Sequence, residues 1–404
     1  MAISGLADLP AVWVWDRGGT SEAKVYATAM AAVGSPPTVQ PKAVAGPPRP
    51  ALHIPSLDGL RAASFFAVFL AHAGLSQVPG GFGVTVFFFL SGYLITTLMR
   101  IEAETTGRVR LGHFYLRRAL RILPPFYIVL LGATALGKAG FVHADPPPQL
   151  WPVAAQVLHV SNYWLAFKGW SGIAPGTGVY WSLAVEEHFY LLFPAAFLLL
   201  GRLRLTGSQK AACFWGVCVA VLAWRCALVL LLQAKVDRTY ICSDTRLDSI
   251  LFGSALAVWN NPALDVVDRD AHVSAWRRLL LLVGSLGVLI VTFVVRSGDF
   301  RETVRYSLQG IALTPVFVAS VRFPHWSIFR PLNWRPMKFI GTLSYSLYLV
   351  HQVVLAAVEQ HSRLGGVSRA AVALLVSFAI SWIMYRLVER PCAAVRRRLS
   401  VAGA

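Results

Sequence analysis

Residues 54–74 read "IPSLDGLRAASFFAVFLAHAG", an apolar run that nevertheless carries an arginine, Arg61, and a histidine, His72. Ionisable side chains inside a membrane segment are costly and mark function, so the reading turns on whether this stretch lies in a bilayer. A spanning helix takes about 20 mostly apolar residues. Comparable stretches recur at 60–78, 82–101, 122–142, 151–167, 182–200, 211–232, 246–260, 279–295, 306–321, 338–359 and 368–388, joined by short connectors. Composition agrees. Of 404 residues, 56% are hydrophobic and only 14% charged, where soluble domains run nearer a quarter charged. The chain reads as an all-α polytopic membrane protein, one helix bundle rather than the two or three soluble domains its length would allow.

The formal net charge of +18 would suggest nucleic-acid binding in a soluble chain. In a membrane protein Lys and Arg collect instead in cytoplasmic loops, and no nucleic-acid partner is expected. The loop holding Arg100, Arg108, Arg110, Arg117, Arg118 and Arg121 is placed inside on that rule, and the amino terminus with it. If 151–167 crossed the bilayer, Arg202, Arg204 and Lys210 would fall outside. If it lies along the outer surface or re-enters, they fall inside with Arg277, Arg278, the segment from Arg322 to Lys338, and Arg396–Arg398. About ten transmembrane helices with both termini cytoplasmic is therefore the expected topology. The segment left outside is rich in Tyr163, Trp164, Phe167, Trp170, Tyr180 and Trp181, which fit both an interfacial belt and a stacking platform for sugar rings.

Residues 1–52 hold Pro36, Pro37, Pro41, Pro47, Pro48 and Pro50 and no long apolar run. They are expected to form a flexible cytoplasmic leader rather than a secretory signal. Residues 53–391 are the expected membrane domain and 392–404 a basic cytoplasmic tail. The five cysteines show no metal-ligand spacing and read as small core residues; no metal site and no bound cofactor is expected.

Arg61 and His72 are eleven residues apart, about three helical turns plus 20°, so they share a face some 16 Å apart along the axis. Asp58 falls near the same face. An elongated ligand could touch Arg61 with a charged part and His72 with its reactive end, and histidine suits proton transfer near neutral pH. The plainer readings are a snorkelling arginine and a satisfied interhelical histidine. In "FYLRRALRILPPFY" (114–127), Arg118 and Arg121 share a helix face beside Arg117, either as a membrane anchor or as a clamp for phosphates. Pro124 and Pro125 are expected to break or bend that helix. "YWSLAVEEHFYLLFP" (180–194) puts Glu186 about a turn from Trp181, "TRLDSILFG" (245–253) suggests an Arg246–Asp248 ion pair, and "GTLSYSLYLVHQ" (341–352) brings Tyr348 and His351 together on one face.

These blocks, with "LDGLRA", "FFFLSGYLI" and the closing "VERP" (388–391), resemble in order the acyltransferase-3 family of integral membrane acyltransferases. The resemblance covers roughly 53–391. It implies a ten-helix bundle in a bacterial inner membrane that moves an acyl group, often acetyl, from the co-substrate acyl-CoA to a hydroxyl. The expected acceptor is an envelope glycan such as exopolysaccharide or lipopolysaccharide; the alternative is a small metabolite such as a macrolide. The resemblance assigns function to Arg61 and His72 and to the pair Arg118 and Arg121. The expected donor site is thus Arg61, Arg117, Arg118 and Arg121 on the phosphates with His72 and Arg61 catalytic. The expected acceptor site is Glu186, Trp181, Tyr180, Tyr348 and His351. From another class, a transporter of a lipid-linked glycan could use Arg61 and His72 as relay residues, but no internal repeat supports it.

Overall fold

Pro55 occupies the first turn of helix α1 (Pro55–His72), where its missing N–H costs nothing. The computed structural model describes residues 54–265 and 274–401; the expected leader, 1–52, and the last residues of the expected tail, 402–404, lie outside the described residues. Helix α2 (Gly80–Thr106) ends at Gly107, whose φ of 70° is the left-handed cap that glycine takes most easily. There follow α3 (Leu111–Lys138), the short α4 (Leu150–Val157) and α5 (Ser161–Lys168), and α6 (Trp181–Arg202). Helix α7 (Gly207–Cys226) opens on a capping box between Thr206 and Gln209 and runs on through a π turn to Leu231. Next come α8 (Val236–Tyr240), α9 (Ser243–Trp259), α10 (Ala275–Val294), α11 (Gly298–Glu302) and α12 (Arg305–Arg322). Helices α13 (Arg335–His361), α14 (Gly366–Met384) and α15 (Arg390–Val401) complete the chain, a π turn joining the last two.

Seven of these helical stretches are long and apolar enough to cross a membrane: α2, α3, α6, α7, α10, α13 and the run from α14 into α15. The bundle's outside is apolar, with Leu192, Leu231, Leu375 and Leu387 exposed, whereas its inside holds Arg225, Arg246, Asp248 and His351 fully buried. That inversion suits hydrocarbon as the solvent. Three other expected spans, α1, α9 and α12, fall short of the length and hydropathy of the seven. The reason is their position. Every residue of α9 from Asp248 to Val258 is buried, packed among α2, α6, α7 and α12, so α9 meets protein rather than lipid and can be short and polar. The 151–167 stretch forms two eight-residue helices, each too short to cross.

Small residues let the central helices touch. A Cβ on Gly92 would run into the Ile250 carbonyl, and one on Gly253 into the Phe89 carbonyl, so α2 and α9 meet backbone to backbone as small-residue membrane interfaces do. Gly253→Ala is expected to cost about 1–3 kcal/mol by overpacking. Gly284→Ala on α10, with open space around it, should change stability by less than about 1 kcal/mol. Equal melting temperatures for the two variants in detergent would contradict this packing.

Pro124 and Pro125 do not break α3, which is continuous across them. Prolines inside membrane helices are tolerated where the surroundings accommodate them; Pro124 and Pro125 leave the Leu120 and Arg121 carbonyls without their helical donors, and beside these the Tyr345 hydroxyl donates to the Ile122 carbonyl at 2.8 Å. The cysteines are all free; Cys218 and Cys242 are buried, but Cys213 is exposed, so the core reading holds for only some of them. At one end of the bundle Asp265 receives Arg100 at 2.9 and 2.5 Å and the Asn261 amide at 2.8 Å. Burial opposes the Asp265 charge, yet these donors hold its carboxyl below the usual carboxylate range.

Candidate active site

Helix α1 packs along α13, and one stripe of it faces that neighbour. Phe65 and Phe69, both buried, lie edge-on and tilted against the His351 ring at 6.0 and 6.4 Å. A turn further on, His72 ends the helix, its ring stacked on His351 at 5.2 Å. His72 Nδ1 lies 3.0 Å from His351 Nε2, and His351 Nδ1 lies 2.8 Å from the Tyr348 carbonyl.

That chain of contacts fixes the protons. A carbonyl only accepts, so His351 carries its proton on Nδ1 and presents a lone pair at Nε2. His72 must then donate from Nδ1, which leaves its own Nε2 as the lone pair. An imidazole oriented this way by a second group is arranged to take a proton. His72 is exposed at the bundle end, while His351 behind it is fully buried.

Arg61 lies at the other end of the same stripe, its guanidinium 3.1 Å from Asp58 Oδ1. Arg121 is close enough for its charge to act on Arg61, on Arg118 and on Glu389. Arg118 sits over the Tyr190 ring at 5.4 Å, and the Tyr190 hydroxyl donates to Glu186 at 2.7 Å. Glu186 also feels Arg118 and Arg61. Among the described residues neither Arg118 nor Arg121 is tied up in an ion pair. Arg117 is: it binds Glu102 at 2.7 Å. Two members of this cluster lie outside the set expected from sequence. Tyr190 stands four residues beyond Glu186, a spacing that signals contact on a helix. Arg396, on α15, is brought beside Arg121 because α15 packs on α3; nothing local in the sequence points to it.

The expected acceptor residues divide. Glu186 joins the arginines. Tyr180 and Trp181 are 1% and 5% exposed; Tyr180 donates to the Leu349 carbonyl at 3.1 Å and Trp181 stacks edge-on against Phe88. Tyr348 is buried against Ser182 at 2.7 Å. The Arg246–Asp248 pair is overturned. Asp248 pairs with Arg225 at 2.8 Å, whereas Arg246 donates to Thr85 and to the Tyr240 carbonyl inside a cage of Phe88, Trp181, Tyr240 and Tyr306 rings. Residues two apart on a helix point to nearly opposite sides, so these two could not meet. No cluster of metal ligands occurs among the described residues.

A family profile described as an acyltransferase domain matches residues 54–386. The chain belongs to the acyltransferase-3 family. Within reach of that family it is similar to the peptidoglycan O-acetyltransferase OatA of Listeria monocytogenes, 29% identical over 353 residues that make up 84% of this chain and 56% of that protein. It is 31% identical over 356 residues to a Staphylococcus aureus protein provisionally named as an O-acetyltransferase, covering 84% of this chain and 57% of the relative. A Bacillus subtilis relative, YrhL, is 28% identical over 351 residues. The chain thus spans little more than half the length of these family members. No solved structure matches it.

Proposed function

We propose that this chain is a membrane O-acetyltransferase that moves an acetyl group from acetyl-CoA to a hydroxyl of a cell-wall glycan. The observation that carries the reading is the Tyr348 carbonyl–His351–His72 chain, set at the far end of one face of α1 from a cluster of arginines. Phosphates of the donor are held by Arg61, Arg118 and Arg121, whose planar forks match phosphate oxygens. The bundle has ten spans with both termini on the cytoplasmic side, and α1 rises from the donor end to His72 at the opposite surface. The relatives named as peptidoglycan O-acetyltransferases favour peptidoglycan as the acceptor over exopolysaccharide or lipopolysaccharide, and a bacterial cytoplasmic membrane as the location.

The step balances simply. The acceptor hydroxyl oxygen attacks the thioester carbon while His72 Nε2 takes its proton. The carbon–sulfur bond breaks, the ester forms, and the proton passes to the CoA thiolate. A general base contributes about 10²–10⁴-fold, and the arginines add positioning.

Purified full-length protein in nanodiscs, given acetyl-CoA and a peptidoglycan fragment, is expected to release free thiol and form an acetyl ester detected by mass spectrometry. Arg118→Gln and Arg121→Gln should each raise KM for acetyl-CoA by roughly tenfold to hundredfold, the worth of a charged hydrogen bond. A protein that releases no thiol with any glycan acceptor would be a transporter or another kind of binder, and the reading would fall.

A further inference from the structure

A cavity of about 350 Å³ opens at the bundle end that carries His72, lined by Gln77, Tyr240, Arg296, Arg301, Arg305 and Tyr306 among others. Its rim begins in the α1–α2 connector, shortly after His72. Neither Arg296, Arg301 nor Arg305 belongs to the donor cluster, which lies toward the other end of α1.

Three features of this cavity point to one ligand chemistry. First, its charge is lopsided: three arginines against one lining carboxylate, Glu302. Glu302 is itself engaged, accepting from Thr239 at 2.9 Å and lying 3.7 Å from Arg305. Arg296 and Arg301 are exposed. Second, Arg246 stands fully buried behind the wall, 3.9 Å from the Tyr306 ring and 5.5 Å from the Tyr240 ring, and adds positive potential where solvent cannot screen it. Third, the partly exposed Tyr240 and Phe82 rings offer faces for sugar C–H surfaces, with Gln77 and Gln309 beside them.

The location sharpens the point. Short connectors on the non-cytoplasmic side are normally poor in arginine, yet the ten-residue link between α10 and α12 carries Arg296 and Arg301 and leads into Arg305. Charges kept against that bias need a use. The volume is at the low end for ligand pockets, room for the end of a glycan rather than a run of it.

We propose that this cavity is the acceptor site and that it takes a carboxylate-bearing sugar, with Arg296, Arg301 and Arg305 on the carboxylate and Tyr240 and Phe82 against the ring. The proposal deepens the reading above and rests on it for the fate of the bound sugar, not for its binding.

The test measures binding without turnover, on full-length protein in nanodiscs without acetyl-CoA. The probe is the disaccharide of N-acetylglucosamine and N-acetylmuramic acid, compared with its methyl ester. The acid is expected to bind at least tenfold more tightly than the ester. Arg296→Gln and Arg301→Gln, both at exposed positions, should each weaken the acid about five- to twentyfold and leave the ester unchanged, while Arg301→Lys keeps part of the preference. Equal affinity for acid and ester in the parent protein, which needs no variant to measure, overturns the proposal. So does an unchanged acid affinity in both variants, or displacement by glycerol phosphate in preference to the acid, which would assign the cavity to a lipid headgroup. Binding that persists in a protein releasing no thiol would remove the transferase reading and leave the cavity's assignment standing.

Discussion

His72→Ala is expected to lower acetyl transfer by about 10²–10⁴-fold while leaving KM for acetyl-CoA within about twofold, since the arginines proposed to hold the donor sit at the other end of α1. The histidine lies at a helix end with an exposed ring, so its removal opens no buried cavity and the variant should melt with the parent. In the proposed mechanism His351, fully buried behind His72, is a positioning residue that acts by accepting a hydrogen bond from His72 Nδ1–H at 3.0 Å. His351→Phe should therefore slow transfer by less than His72→Ala does. His351→Gln, whose side-chain carbonyl can accept the same proton, should restore part of the rate, and a residue that only filled space would show no such rescue. The readout is ester formed per unit time at saturating donor, with melting temperature measured alongside. A well-folded His72→Ala protein acetylating at the parental rate would sink the mechanism.

The sequence carried some of this plainly and some not at all. Arg61 and His72 were legible as one face because helical periodicity is local: α1 is continuous between them, and Phe65 and Phe69 complete the stripe. The seven long apolar helices were legible for the same reason, through hydropathy alone. Helices α9 and α12 were legible as apolar stretches, at 246–260 and 306–321, but hydropathy did not reveal that they pack against protein rather than lipid. Long-range partners were not legible. Asp248 meets Arg225 from another helix, and the nearer candidate, Arg246, points away to a cage of aromatic rings. Tyr180, Trp181 and Tyr348 illustrate a further limit. An aromatic residue in such a helix has the same sequence signature whether it lines a site or packs inside, and here all three are buried. The arginines from Arg296 to Arg305 are spread over ten residues that run from the α10–α12 connector into α12, with Asp299 and Glu302 between them. Only folding gathers three of them around one cavity.

The buried charge pair gives the largest expected effect on stability. Arg225 is fully buried near the end of α7 and spends its guanidinium on four partners: the Thr303 carbonyl at 2.9 Å, the Thr245 carbonyl at 2.6 Å, Ser307 Oγ at 2.6 Å and Asp248 at 2.8 Å. Asp248, equally buried, accepts in addition from Ser307 Oγ and from the Ser249 amide, each at 2.8 Å. Three helices, α7, α9 and α12, are thereby tied at one point. Taking both charges out of water is expensive, so the intact pair need not be worth much relative to an apolar pair of the same shape; removing one partner is different, because it strands the other charge in a dry interior. Arg225→Met is expected to cost about 3–5 kcal/mol, and Asp248→Leu a similar amount. The double variant Arg225→Met/Asp248→Leu should cost less than the two single losses combined, because no charge is left unpaired and the groups that lose a partner, the carbonyls of Thr245 and Thr303, Ser307 Oγ and the Ser249 amide, are all neutral. Equilibrium unfolding in mixed micelles reads all three. Strict additivity would mean that the two charges do not depend on one another, and the joint that fastens α7 to α9 and α12 would have to be sought in apolar packing instead.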